Sequence, residues 1–118
     1  MVTITRIAPS PTGPFHIGNA RTALYNFLFT KKQGGDIYLI IEDTDAERSK
    51  KEFETDIIES LRWLGIQWDG EIIRQSERTE KYQSYLEKMM AGGRAFFCGH
   101  SQEKLEQEQK EQEIQKLP

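Results

Sequence analysis

Apolar and polar positions in the N-terminal third of the chain alternate between strand-like and helix-like spacing. Thr3 to Ile7 is a β-branched run that ends at Pro9, so it predicts a short strand. From Gly18 to about Gln33, apolar residues recur at helical spacing, and Gly34-Gly35 is expected to end that helix. The residues expected to be buried by this helix are Ala20, Ala23, Leu24, Phe27 and Leu28.

Ile37 to Ile41 is a continuous apolar run, typical of a strand buried on both faces of a parallel sheet. Strand, helix and strand in this order predict a βαβ unit with a parallel strand pair. A second helix is predicted from about Lys50 to Leu64, with Gly65 at its C-terminal end. Its predicted buried residues are Phe53, Ile57, Ile58, Leu61 and Leu64.

The pattern is weaker in the second half of the chain. A short strand is predicted at Ile72-Ile73, and a third helix runs from about Glu77 to Ala91, with Ser76 as N-cap and Gly92-Gly93 as stop. Ala95-Phe96-Phe97 predicts a further strand. From Gln102 to Lys116 nearly every residue is Gln, Glu or Lys, which predicts a solvated helix or a frayed tail.

Composition and charge narrow the class of protein. The 118 residues are 36% hydrophobic and 30% charged, with a net charge of −3, as in a globular protein. No apolar run is long enough to span a bilayer, and the N-terminus does not resemble a secretory signal, so no membrane association is expected. The single cysteine excludes an internal disulfide framework and favours a cytoplasmic location.

The charge is unevenly distributed, because residues 1–35 hold four basic side chains and no acidic one. The loop from Pro9 to Asn19 lies in this segment, between the predicted first strand and first helix, where ligands bind in open α/β sheets. Unpaired N–H groups at a helix N-terminus favour phosphate. His16, Gly18 and Asn19 are therefore candidate phosphate-site residues, whereas the alternative function for His16 is that of a helix cap.

Three blocks of sequence resemble a known family. They are Arg6-Ile7-Ala8-Pro9-Ser10-Pro11-Thr12-Gly13, then His16-Ile17-Gly18-Asn19-Ala20-Arg21-Thr22-Ala23-Leu24, then Ile41-Glu42-Asp43-Thr44-Asp45 with Arg48-Ser49. In order and spacing they closely resemble the N-terminal half of bacterial glutamyl-tRNA synthetases, which are class I aminoacyl-tRNA synthetases. The resemblance covers nearly all of residues 3–98.

The resemblance implies an α/β fold, namely a Rossmann-like parallel sheet with flanking helices that forms the N-terminal half of the class I nucleotide-binding domain. It assigns residues 1–97 to this half and residues 98–118 to the start of an inserted subdomain that contacts the tRNA acceptor end. The implied activity is a glutamate–tRNA ligase, which activates L-glutamate with ATP and transfers it to the 3′ end of tRNA. Mg²⁺ is implied with ATP.

The resemblance also implies roles for individual residues. His16 and Asn19 would stabilise the phosphates during catalysis, and ATP would be bound by His16, Gly18, Asn19 and Thr12. Glutamate would be bound by Arg6, Ala8, Ser10 and Glu42, with Arg6 on the side-chain carboxylate and Glu42 on the ammonium group. Asp43 and Asp45 would lie near the tRNA end. The alternative for this acidic cluster is a helix-start cap, at Asp45 or Thr44, in a solvated loop.

Cys98 and His100 form at most half of a tetrahedral zinc site, and the alternative is an ordinary cysteine. The chain contains no Lys-Met-Ser-Lys-like sequence, so the rest of the enzyme is expected as a missing partner, and the 118 residues alone are expected to be inactive. Uncovered apolar surface is expected to favour self-association. Two other functions stay open: a small nucleotidyltransferase with the same type of signature, and a module that binds a nucleotide or an RNA end without turnover.

Overall fold

The computed structural model describes residues 2–115 and contains one parallel sheet with the strand order β1-β2-β3. The strands are β1 (Ile4–Ile7), β2 (Asp36–Ile41) and β3 (Ile73–Arg74). The helices are α1 (Ile17–Lys32), α2 (Lys51–Trp63), α3 (Thr79–Ala91) and α4 (Gln102–Gln115), with a 3₁₀ turn at Ser76–Arg78 before α3. The predicted βαβ unit, its parallel pairing and the Rossmann-like α/β class are confirmed.

One face of the sheet carries the hydrophobic core. Ile37, Leu39 and Ile41 of β2 are fully buried, and they pack with Ala23 of α1 and with α2 through Ile57 and Leu61. Both crossovers advance in the same direction across the sheet, from β1 to β2 and from β2 to β3. Right-handed connections that advance in one direction place their helices on one face, which explains why α1 and α2 share this core.

The prediction that β2 is buried on both faces is wrong. Tyr38 and Ile40, which alternate with the buried residues, are only partly buried. Two residues of α1 that were expected in the core are also exposed, Leu24 by 39% and Leu28 by 56%. Within residues 2–81, no element covers the second face of the sheet, so the hydrophobic run of β2 exceeds what this unit buries.

Thr30 is a buried polar residue of α1 that the hydrophobic pattern did not indicate. Its hydroxyl donates to the carbonyl of Asn26 at 2.7 Å and forms a short hydrogen bond with the hydroxyl of Thr5 in β1. A buried hydroxyl needs such partners, and here they connect α1 to the first strand.

The glycines that end the helices behave as predicted. Gly34, Gly65 and Gly93 all have positive φ angles, which end α1, α2 and α3 at low steric cost. Gly35 has a different function, because a Cβ atom at this position would lie 2.0 Å from the carbonyl oxygen of Thr3. The adjacent Asp36 donates its N–H to that same oxygen at 3.0 Å, so the chain enters β2 in direct contact with the start of β1.

The chain separates into two compact units, with the division between Lys81 and Tyr82. In the second unit, the solvated helix predicted from Gln102 is confirmed as α4, where Leu105 and Ile114 are both exposed. The strand predicted at Ala95–Phe97 is wrong: the segment has no strand pairing, and Phe96 and Phe97 are more than 80% exposed. Two adjacent aromatic residues raise the strand propensity, but a strand also needs a neighbouring strand.

The division at Lys81 describes compactness, and the predicted boundary at residue 97 stays a prediction. No helix within residues 2–115 combines the length and the apolar character needed to cross a membrane.

We expect Gly35→Ala to lower the free energy of unfolding by about 2–3 kcal/mol, because the new methyl group overlaps backbone that cannot move aside. Gly13→Ala is the matched control, since a Cβ atom there meets no atom within 4 Å. Chemical denaturation monitored by tryptophan fluorescence measures both. Equal stability of the two variants would contradict the close approach of Gly35 to Thr3.

Candidate functional site

The loop of residues 8–16 connects the end of β1 to the start of α1, and three hydrogen bonds hold it. The carbonyl of Pro9 accepts from the N–H of Glu42 at 3.0 Å, and the carbonyl of Pro11 accepts from the N–H of Lys50 at 3.0 Å. The N–H of Phe15 donates to Asp56 at 2.7 Å. The proline-rich loop is thus fixed against the end of β2, the start of α2 and the side of α2.

His16 is the N-cap of α1, and its Nδ1 atom accepts the N–H of Gly18 at 3.1 Å. The cap function of His16, left open by the sequence, is therefore present. In the neutral ring the proton then resides on Nε2, which leaves an N–H free to donate to a ligand. A Cβ atom on Gly18 would lie 2.9 Å from the His16 ring, so glycine allows the ring to cover the helix end.

The N-terminus of α1 carries no opposing charge. Its first turn contains no acidic residue, although acidic side chains are favoured at this end of a helix. The partial positive charge of the free N–H groups is therefore available to an anion. Geometry and charge at this position suit phosphate binding.

Arg6 and Glu42 form an ion pair next to this loop. The Nη1 atom of Arg6 lies 3.2 Å from Oε1 of Glu42, and the two side chains are 60% and 39% exposed. Arg6 lies in β1, and Glu42 directly follows β2, so parallel pairing of the strands brings both to the open face. Because a pair this exposed contributes little stability, its separation by a charged ligand would cost little.

Two cavities meet at Arg6. The smaller one, of about 130 Å³, has the sequence-predicted residues Arg6, Ala8 and Asn19 in its lining. The larger one, of about 650 Å³, occupies the open face of the sheet. It falls in the size range of small-molecule sites, and its lining residues are Ile4, Thr5, Arg6, Asn26, Tyr38, Ile40 and Ile73.

The other predicted residues of the loop lie outside both cavities. Ser10 is exposed and Thr12 is partly buried, and neither belongs to the lining of the cavities at Arg6. The structure thus brings Arg6, Ala8, Asn19 and Glu42 together. It does not by itself bring Ser10, Thr12 or His16 to the same point, and His16 lines a separate cavity with Trp63 and Leu64.

Asp43 and Asp45 both stabilise local turns. Asp43 accepts from the N–H of Ser76 at 2.8 Å and from its hydroxyl at 2.6 Å, at the start of the 3₁₀ turn. Partial burial would raise the pKa of Asp43, but the Ser76 hydrogen bonds and the charge of Arg74 outweigh it, so the pKa lies below its usual value. Hydrogen bonds from Arg48 likewise lower the pKa of Asp45.

Glu54 is a buried carboxylate that holds α2 against β3. Its Oε1 atom accepts from Nη2 of Arg74 at 2.7 Å and from Nζ of Lys51 at 2.9 Å. Burial alone would raise the pKa of Glu54, but these hydrogen bonds and charges more than compensate, so its pKa is lowered. The hydrogen bond with Glu54 stabilises the charged form of Arg74 and so raises the pKa of Arg74.

Cys98 and His100 lie in the segment between α3 and α4. Both are exposed, and within residues 2–115 no group of three or more potential ligands is close enough to hold a metal ion. Two ligands do not fit structural zinc, which takes four. The zinc half-site stays a prediction from the resemblance.

Asp56 is a site residue that sequence reasoning missed. It contacts the loop at Phe15, 41 positions away in the chain. Its position on α2 between the apolar residues Phe53 and Ile57 places it near the buried side of the helix. That position was the only signal in the sequence, and it did not identify a partner.

A three-stranded parallel sheet with flanking helices, and with a helix N-terminus beyond the end of its first strand, is an α/β fold of the Rossmann-like class. The family model for class I tRNA synthetases (E and Q), catalytic domain, matches residues 2–118. The chain therefore belongs to this family.

Individual relatives agree with the family. The chain is 52% identical over 114 residues to the glutamate–tRNA ligase of Coprothermobacter proteolyticus, covering 97% of this chain and 24% of that protein. The identity to the Aquifex aeolicus glutamate–tRNA ligase is 51%, with the same coverage. The crystal structure of an Elizabethkingia meningosepticum glutamate tRNA ligase in complex with its amino acid superposes with a TM-score of 0.84 at 38% identity, covering 99% of this chain and 25% of that one. The chain thus spans about a quarter of the length of these relatives.

Glu54→Gln is expected to lower the free energy of unfolding by about 1–3 kcal/mol at pH 7, because the amide oxygen can still accept from Arg74 and Lys51 but no longer carries the charge that strengthens these hydrogen bonds. The contribution of a carboxyl with a lowered pKa is complete above its ordinary value of 4.5 and disappears as pH falls through the lower folded-state pKa. Denaturation curves should therefore show the difference between wild type and variant shrinking in acid. The exposed Glu59 serves as control through Glu59→Gln, and a pH-independent difference for Glu54→Gln would argue against the ion pair.

Proposed function

We propose that this chain is the N-terminal part of a glutamate–tRNA ligase, and that it contributes half of the site where ATP activates glutamate. The Arg6–Glu42 pair at the ends of two parallel strands, beside the acid-free start of α1, is the observation that supports this most strongly. A cation and an anion side by side match the opposite charges of an amino acid with an acidic side chain. The relatives that this chain matches over about a quarter of their length are glutamate–tRNA ligases, which supports the same reaction.

Arg6 and Glu42 would divide the glutamate between them. The guanidinium of Arg6 would leave Glu42 and bind the side-chain carboxylate of glutamate with two parallel hydrogen bonds. The carboxylate of Glu42 would then bind the α-ammonium group. Ala8 lines the adjacent cavity, and Ser10 would contact the backbone of glutamate.

His16 and Asn19 would bind the phosphates of ATP at the N-terminus of α1. His16 can donate from Nε2 because its Nδ1 is occupied by Gly18. Gly18 and Thr12 would border the nucleotide. Such donors accelerate the reaction by stabilising charge that develops on the phosphates, since the reaction requires no covalent intermediate with the protein.

ATP would enter with Mg²⁺. This ion keeps several waters and is held mainly by substrate phosphates with one or two carboxylates, so it needs no protein cage. The acceptor end of tRNA would approach near Asp43 and Asp45, whose carboxylates are positioned by Ser76 and Arg48. Cytoplasmic location follows from this function, because tRNA charging supplies translation.

We also propose that the remainder of the enzyme covers the open face of the sheet. Ile4 is 64% exposed at the edge of the 650 Å³ cavity, and Tyr38 and Ile40 are half-buried there. A contiguous apolar surface of this kind marks a docking region. In the absence of its intended cover, the chain is expected to self-associate through this face.

The decisive test uses the full-length protein that carries this chain, assayed for glutamate-dependent ATP–pyrophosphate exchange in the presence of tRNA. Arg6→Ala should raise the KM for glutamate about 30- to 150-fold, because about 2–3 kcal/mol of charge-assisted hydrogen bonding is lost. Lys32→Ala, at the exposed end of the same acid-free segment, should change nothing.

The 118 residues alone should give no exchange, since they contain one of the two phosphate-binding motifs that the resemblance implies. Adenylyl transfer that does not depend on glutamate would favour the nucleotidyltransferase instead. Binding of ATP or tRNA by full-length protein without turnover would favour the binding module.

Self-association of the 118-residue chain is measured by sedimentation velocity across a range of concentrations. The wild-type chain should form dimers or larger species, and Ile4→Lys should shift it toward monomer by placing a charge on the open face. Ile114→Lys, at an exposed position in α4, is the matched control and should leave the distribution unchanged. A monomeric wild-type chain at all concentrations would refute the proposed docking face.

A further inference from the structure

We propose that Asp56 is a positioning residue for His16: it fixes the chain where the loop enters α1 and so sets the direction in which the imidazole points. This inference builds on the proposed function, because the consequence of a misplaced His16 is expected in the activation of glutamate. All the contacts on which it rests lie within the first compact unit, residues 2–81.

The contact itself is short and specific. Oδ2 of Asp56 accepts the N–H of Phe15 at 2.7 Å, and Oδ1 accepts the hydroxyl of Ser60 at 3.3 Å. Ser60 lies one turn further along α2, so it holds the carboxylate from within its own helix. Both oxygens therefore have partners, and a hydrogen bond to an ionised acceptor is stronger than one between neutral groups.

The position of Phe15 in the loop gives this bond its effect. Pro14 has no N–H group, so Phe15 supplies the first backbone donor after Pro14, two residues before α1 begins at Ile17. The next residue is His16, whose extended backbone (φ −120°, ψ 168°) begins α1 and whose Nδ1 atom caps Gly18. Phe15 also packs against the core, so its N–H and its ring fix the chain immediately before the imidazole.

α2 holds the loop at two points. The N–H of Lys50, the N-cap residue of α2, donates to the carbonyl of Pro11, and Asp56 accepts from Phe15. Loss of the second contact would leave the chain between Pro11 and His16 held by the packing of the Phe15 ring, with no hydrogen bond from α2 beside it. The cap bond between His16 and Gly18 would then compete with other rotamers of the imidazole.

Three substitutions distinguish an effect on the position of the loop from an effect on the overall stability of the fold. Asp56→Ala removes the acceptor. Asp56→Asn keeps a carbonyl oxygen that can accept the same N–H. Asp69→Ala is the matched control, because Oδ2 of Asp69 accepts a backbone N–H in the same way, from Ile37 at 2.9 Å, at the start of β2.

The first measurement is NMR of the imidazole nitrogens in the 118-residue chain, which contains only two histidines. His100→Gln assigns the signals of His16. In wild type and Asp56→Asn, the spectrum should show the Nε2–H tautomer with Nδ1 as acceptor. Asp56→Ala should shift these signals toward the average of a free ring, whereas Asp69→Ala should leave them unchanged.

The second measurement is glutamate-dependent exchange by the full-length protein. Asp56→Ala should lower kcat about tenfold, because a small displacement of the His16 imidazole moves its donor away from the phosphates of ATP. The KM for glutamate should stay near its wild-type value. Asp56→Asn should restore most of the rate. If Asp56→Ala does not fold, Asp56→Glu displaces the carboxylate by one methylene and should move the His16 signals in the same direction.

Unchanged His16 signals in Asp56→Ala, or equal shifts in Asp56→Ala and Asp69→Ala, would overturn the proposal. Failure of Asp56→Asn to restore the tautomer would also overturn it. A wild-type protein without exchange activity would reject the proposed function, while the imidazole spectra would still decide the role of Asp56.

Discussion

A proline-rich loop has few backbone donors of its own, so its shape depends on the partners that surround it. In this chain those partners are the end of β2 and two points on α2, which bind Pro9, Pro11 and Phe15. The candidate phosphate ligands His16 and Asn19 come directly after this loop in the chain. Their positions therefore depend on where Phe15 is held, because His16 is the N-cap of α1. The loop is therefore held by β2 and α2, the same elements that form the core, and this attachment fixes the position of the site residues.

The sheet is covered on one face, and this asymmetry places the site. Ile37, Leu39 and Ile41 point to the helices, and the alternate positions point to the open face. Arg6 and Glu42 lie on that open face, where their charges remain partly hydrated and able to exchange partners. Under the proposed function, the ion pair is half of a site whose other half packs against the same surface.

Much of the fold could be predicted from the sequence, because periodicity and glycine positions are local signals. α1, α2 and the ends marked by Gly34 and Gly65 are examples. The exposure of Leu28 and the absence of a strand at Phe96 could not be predicted, because each depends on whether another element packs against or pairs with these residues. At the site, the residue pattern indicated His16, and the family resemblance indicated Arg6 and Glu42. The Arg6–Glu42 contact and the anchor at Asp56 could not be predicted, because they join distant parts of the chain.

In the proposed function, Arg6 and Glu42 separate from each other and bind the two ends of glutamate. A crystal structure of the full-length protein with glutamate and a non-hydrolysable ATP analogue tests this exchange most directly. We expect the guanidinium of Arg6 on the side-chain carboxylate of glutamate, Glu42 on its ammonium group, and His16 Nε2 on a phosphate oxygen. An intact Arg6–Glu42 ion pair with glutamate bound elsewhere would contradict it.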